Sequence, residues 1–155
     1  MSTPQLLVSA HARHPAHTPI AFVCSVVAAY AQRGMEADSA LQAAQIAPPQ
    51  LDDDSARITA LQMELLCAHA MRELDDEGLG WFSRRLPWGS YGLLARASIS
   101  SPSLGLAMAR WCRHHGLLTD DIALSVQVDG SLATVRLQAL RDMGALQEFC
   151  MVSVL

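Results

Sequence analysis

Aromatic rings and guanidinium groups gather in one stretch of this sequence, and they are residue types that suit a small-molecule pocket. The chain has three Trp, three Phe and two Tyr, and Trp81, Trp88 and Tyr91 fall within eleven positions, with Trp111 following. Pockets combine apolar and aromatic walls with a few placed polar groups. Arg84, Arg85 and Arg96 share the stretch, and a guanidinium can grip an anion through two parallel hydrogen bonds. Trp88, Tyr91, Arg96 and Trp111 are therefore the residues expected to contact a ligand. The competing reading is an aromatic core ringed by solvated arginines, since packing is the commoner use of Trp.

Histidine supplies two further patterns. His11, His14 and His17 recur every third residue, which on a helix would align imidazoles for a metal. Pro15 interrupts them and the flanks lack helical periodicity, so residues 1–17 read as a flexible leader; no metal and no cofactor are expected. His114 and His115 are adjacent, and adjacent helical residues point in different directions, so one site cannot easily use both. No phosphate-cradling loop, H-E-x-x-H or G-x-S-x-G motif is present, and nothing in the sequence requires an enzyme. Ala37 to Leu51 invites comparison with a helix-turn-helix, but Asp52, Asp53 and Asp54 follow and would repel DNA phosphates.

The charge balance points away from nucleic acid as a direct partner. The net charge is −4, and all eleven basic residues are Arg spread along the chain. An autonomous DNA-binding module usually carries a basic patch and a high isoelectric point. Cys24, Cys67, Cys112 and Cys150 form no C-x-x-C pair. Their apolar contexts suggest small buried hydrophobes in a reducing cytoplasm rather than a disulfide framework. The apolar run Ile20 to Ala31 has only twelve residues, short of the roughly 20 that a membrane-spanning helix needs. No membrane partner is expected.

These side chains need a frame. Thr18-Pro19 offers a cap and a first-turn proline for a helix running to about Arg33 and stopping at Gly34. A short helix should cover Ala37 to Gln45, and Pro48-Pro49 should end it. Asp52 to Ser55 would cap a third helix to about Leu74, on which Thr59, Gln62, His69 and Glu73 form a narrow polar stripe. Asp75 to Gly78 breaks the pattern, and Leu79 to Gly92 reads as irregular. Ser101 and Pro102 mark the start of a helix with Leu104, Ala107, Met108, Trp111, Cys112 and His115 on one face, closed by a left-handed Gly116. Arg110, Arg113 and His114 suit its negative end. Ile122 to Val128 and Leu132 to Leu140 should form a hairpin turning at Asp129-Gly130, with Leu124, Val126 and Val128 on the packed face. The run from Ala145 to Leu155 reads as a helix without a closing signal, as if cut short. The expected fold is α+β: an N-terminal helical group, then a capped helix and an antiparallel hairpin.

The segment from Gly92-Leu93-Leu94 through Ser101-Pro102-Ser103-Leu104-Gly105, the helix to His115 and the strand pair also resembles a known family. It is similar to the N-terminal effector domain, labelled arabinose-binding, of AraC-type bacterial transcription regulators. The likeness extends over about Thr18 to Leu140 and includes Arg33-Gly34 after the first helix. It implies a domain at 18–155 that senses a small-molecule effector and forms a homodimer. It also implies that DNA is reached only through a C-terminal domain of two helix-turn-helix motifs, which these residues do not include. The alternative is a stand-alone module that pairs with another protein through the apolar faces of the first and third helices.

Overall fold

A computed structural model describes residues 15–144 and 147–154. The chain divides into two compact units, Met1–Leu74 and Asp75–Leu155. Among the described residues, six helices and two small antiparallel sheets make an α+β fold, as the sequence implies.

In the first unit a two-stranded ribbon precedes the helices. Strand β1, Ala16–Pro19, pairs with β2, Arg57–Thr59, with an irregularity between Ala16 and Thr18. His17 therefore sits in strand β1, while His11 and His14 lie outside the described residues. Helix α1, Ile20–Ala31, starts after Pro19 with no side-chain cap; the Ile20 amide donates to Ala56 O at 3.1 Å. Thr18 is thus a strand residue and caps nothing. Gly34, at φ 65°, carries the chain out of α1 as expected. Helix α2 spans Asp38–Ala43, and Pro48–Asp52 is one turn of 3-10 helix. A five-residue 3-10 turn cannot serve as a recognition helix, which removes the helix-turn-helix reading.

Helix α3, Ala60–Glu73, is capped by Thr59 rather than by the aspartates before it. The Gln62 amide donates to Thr59 Oγ1 at 3.1 Å, and Gln62 Oε1 accepts from the Thr59 amide at 3.0 Å. This reciprocal pair satisfies two helix-end donors. Asp53 instead closes a local turn, accepting from the Ser55 amide at 2.9 Å. The first unit's core gathers Ile20, Val23, Val26, Tyr30, Leu41, Ile58 and Leu66. Cys24, expected to be buried, is exposed because α1 keeps one face open.

The second unit holds a helix that periodicity did not reveal. Helix α4 spans Ser90–Ile99, where an irregular stretch was expected to continue to Gly92. Helix α5, Leu104–His115, is capped by Ser103, whose Oγ accepts from the Leu106 amide at 3.3 Å. Ser101 is not the cap, and Leu104 is 76% exposed rather than part of the packed face. Gly116 keeps a right-handed conformation (φ −62°), so α5 closes through Leu117 N–H to His114 O at 2.9 Å instead of a left-handed glycine. Strands β3, Ile122–Asp129, and β4, Leu132–Ala139, form the hairpin, with Asp129 opposite Leu132. The turn is therefore Gly130-Ser131, one residue later than expected, with Gly130 at φ 57°. Coverage of the apolar face fades along the strand: Ile122 is buried, Leu124 and Val126 are half-buried, and Val128 is 70% exposed. Helix α6, Gln147–Val154, follows.

Candidate functional site

Two buried carboxylates build the loop that leads into α4. Asp76 Oδ1 accepts from the Gly78 and Leu86 amides at 2.9 Å each, and Oδ2 accepts from the Gly80 amide at 3.0 Å. Glu77 reaches the start of α4, where Oε1 accepts from the Gly89 amide and Oε2 from the Tyr91 amide, each at 2.7 Å. A carboxylate at a helix N-terminus satisfies unpaired amides and complements the helix dipole. No Ser, Thr, Asp or Asn occupies the residue before α4, so the sequence next to the helix gave no start signal. Gly78 is needed here because a Cβ would lie 2.8 Å from the Phe82 ring.

The loop sets Tyr91 against α5. Its ring stacks on Trp111, with centroids 6.2 Å apart, and its hydroxyl lies 3.3 Å from His115 Nε2. Phe82 meets the same imidazole edge-on at 6.4 Å. His115 is fully buried, and its Nδ1 has no hydrogen-bond partner. Burial holds the imidazole below its ordinary pKa of 6.5, because a charged ring would lose its hydration there. Burial likewise pushes the Tyr91 phenol up. The cluster is thus neutral at physiological pH, with no acid-base pair tuned for proton transfer.

Of the four residues expected at a ligand, Tyr91 and Trp111 come together. Trp88 lies in the loop before α4 and is 49% exposed, with its amide donating to Asp75 Oδ1 at 3.3 Å. Arg96 folds back along α4, its guanidinium 3.6 Å from where a Cβ on Gly92 would stand. Arg84 and Arg85 do not join it. Arg84 donates from Nη2 to Leu117 O at 2.7 Å and from Nε to Leu118 O at 3.1 Å. Arg85 pairs with Asp75 at 3.3 Å.

A cleft of about 300 Å³ opens between α4 and the end of α5. Ser90, Leu93, Leu94 and Ala97 line one side, and His114, Leu117 and Leu118 the other. His114 and His115 therefore face different surroundings, as their adjacency on a helix requires. The expected aromatic contacts are not among the lining residues. Sequence reading missed this place because α4 went unrecognised, although Leu93, Leu94 and Ala97 carry the helical spacing. A second cleft, about 360 Å³, lies between α5 and β3, lined by Cys112, Arg113, Thr119, Asp120 and neighbours.

The rest of the polar chemistry is used structurally. Asp121 accepts from the Ser83 amide and, at 2.9 Å each, from Ser83 Oγ and Arg141 Nε. Burial raises its pKa, but Arg141 and Ser83 outweigh that and hold it below the ordinary carboxylate value. In the first unit Glu73 Oε2 accepts from Tyr30 Oη at 2.6 Å and Ser39 Oγ at 2.8 Å, with His69 Nε2 at 3.4 Å. The carboxylate stands between the serine and the histidine, so Ser39 lacks the adjacent imidazole base of a nucleophilic triad. The bonds from Tyr30 and Ser39 hold Glu73 below its ordinary pKa. Among the described residues no group of three His, Cys, Asp or Glu is placed to hold a metal, and no helix is long and apolar enough to cross a membrane.

Comparison with known proteins adds one finding. Residues 34–155 match the family model of the arabinose-binding domain of AraC transcription regulators, an N-terminal domain. No curated protein and no solved structure gives a significant match.

Proposed function

We propose that this chain, which belongs to the arabinose-binding domain family of AraC transcription regulators, senses a small cytoplasmic effector in a bacterium and pairs with a second copy of itself. The family is that of a ligand-sensing regulatory domain, not a known enzyme class. The observation that carries the reading is that the matched region contains a ready place for a small molecule, the pair of helices α4 and α5. Tyr91 and Trp111, stacked between α4 and α5 but outside the lining of the cleft, would support the wall that the effector meets. Effector binding would favour one pairing of subunits over another and so change how attached helix-turn-helix domains, outside these 155 residues, are presented to DNA. Such a shift is only as large as the effector's preference for one arrangement.

Calorimetric titration against a broad panel of sugars, amino acids and carboxylic acids tests this, read together with light scattering. The expected result is a dimer that binds one class and changes its dimerisation constant on binding. A folded monomer that binds nothing in the panel overturns it.

One observation favours a second reading, a stand-alone partner-binding module. Leu61, Met63, Leu65, Cys67, Ala68 and Met71 on α3 are only partly covered. Apolar surface left open on a helix face is the kind that another protein covers.

A further inference from the structure

We infer that the cleft between α4 and α5 takes the chain of a medium-length aliphatic carboxylic acid, with the carboxylate at the end held by His114 and Arg84. The inference names an effector class and so rests on the sensing reading for its consequence, though not for the binding itself.

The lining decides the class. Five of the seven residues, Leu93, Leu94, Ala97, Leu117 and Leu118, are aliphatic. Ser90 already donates its hydroxyl proton to Pro87 O at 2.7 Å, which leaves it only as an acceptor. A pentose brings several hydroxyls that each need a partner when buried. Two polar side chains, one of them partly committed, cannot supply those partners. The family's label therefore does not describe this cleft.

Size and charge narrow the class. A methylene occupies about the volume of a water molecule, roughly 30 Å³, so a cleft of about 300 Å³ matches a chain of about ten carbons. Leu93 is 64% and Leu117 73% exposed beside it, leaving apolar surface that a chain would cover. Polar groups border the cleft. His114 is part of the wall, and the Arg84 guanidinium is fixed on the carbonyls of Leu117 and Leu118, both lining residues. A carboxylate there meets the Arg84 guanidinium and the His114 imidazole, while its tail meets leucines.

The test titrates the full chain with sodium decanoate below its micelle concentration, beside hexanoate, decanol and L-arabinose. Decanoate is expected to bind, hexanoate at least about tenfold more weakly because it buries fewer methylenes, and L-arabinose not at all in this cleft. Ala97→Phe fills the cleft and should weaken decanoate at least about tenfold. Leu93→Ser, at an exposed position that leaves the core intact, should weaken it severalfold and serves if Ala97→Phe fails to fold. His114→Ala should weaken decanoate while leaving decanol unchanged. Decanoate affinity unaltered by Ala97→Phe and Leu93→Ser overturns the inference, as does arabinose binding that these variants abolish. The two readings fail separately. If another metabolite binds and decanoate does not, the inference is lost and sensing stands. If decanoate binds as described but leaves dimerisation unchanged, the cleft assignment stands and sensing is lost.

Discussion

His115 shows how one buried side chain can make the fold sensitive to pH. Its ring touches Tyr91 and Phe82, it is fully buried, and Nδ1 has no partner. Burial lowers its pKa from 6.5. In the unfolded chain the imidazole titrates near 6.5, so below that pH the unfolded state binds more protons than the folded one. The stabilising contribution is therefore complete above pH 6.5 and is lost as pH falls towards the folded-state value. Glu73 and Asp121 have lowered pKa values, so their contributions also vanish on acidification, but in the lower, carboxylate range. Denaturant melts at pH 7.5, 6.5 and 5.5 should show stability falling across the series. His115→Phe should flatten that fall, since it removes the group that titrates in this window. An unchanged slope in the variant would mean that His115 is not its source.

At the scale of elements, the sequence revealed the helices whose periodicity and breakers lie beside them in the chain and missed the one whose cap comes from afar. Helices α1 and α2, the α5 body and the hairpin are legible because periodicity and Asp129-Gly130 are local. Helix α4 was not, because Glu77, more than ten residues upstream, caps it through the Gly89 and Tyr91 amides. The cleft was invisible for the same reason, since four of its seven lining residues belong to α4. The aromatic pair Tyr91–Trp111 was legible as composition, but the separation of Arg84, Arg85 and Arg96 depends on backbone carbonyls and Asp75, which no spacing announces. Caps were misplaced where several candidates compete. Ser101 and Ser103 both precede α5, and only Ser103 bonds to it. Ser103→Ala should cost about 0.5–1 kcal/mol. Ser101 Oγ is buried without a partner, so Ser101→Ala should be neutral or slightly stabilising. Likewise Thr59→Ala should cost about 1 kcal/mol, whereas Asp52→Ala should cost little. Chemical denaturation of the four variants measures this order, and a larger loss at Ser101 than at Ser103 would restore the cap that the sequence suggested.

At the scale of the whole molecule, each unit has a carboxylate-centred polar network. Tyr30 and Ser39 converge on Glu73 within the first. Asp76, Glu77 and Asp121 gather amides and side chains of the second. Local opening follows such contiguous cooperative groups, and amide exchange reads the free energy of each group separately. Tyr30→Phe removes a hydrogen bond to a carboxylate at 2.6 Å, a loss of about 1.5–3 kcal/mol. Every 1.4 kcal/mol is a factor of about ten in an opening equilibrium. Amides of α1 and α3 should therefore exchange about ten- to a hundredfold faster in Tyr30→Phe. Those of α4 and α5 should keep their rates, because none of their bonds involves Tyr30 or Glu73. Hydrogen exchange followed by mass spectrometry on the full chain distinguishes the cases. Equal acceleration in both units would show that they open as one cooperative body, and a signal at α4–α5 could then originate anywhere in the chain. Selective acceleration would leave α4 and α5 as a unit whose stability is set by its own carboxylate-capped loop, so that a ligand in its cleft would act first on that unit.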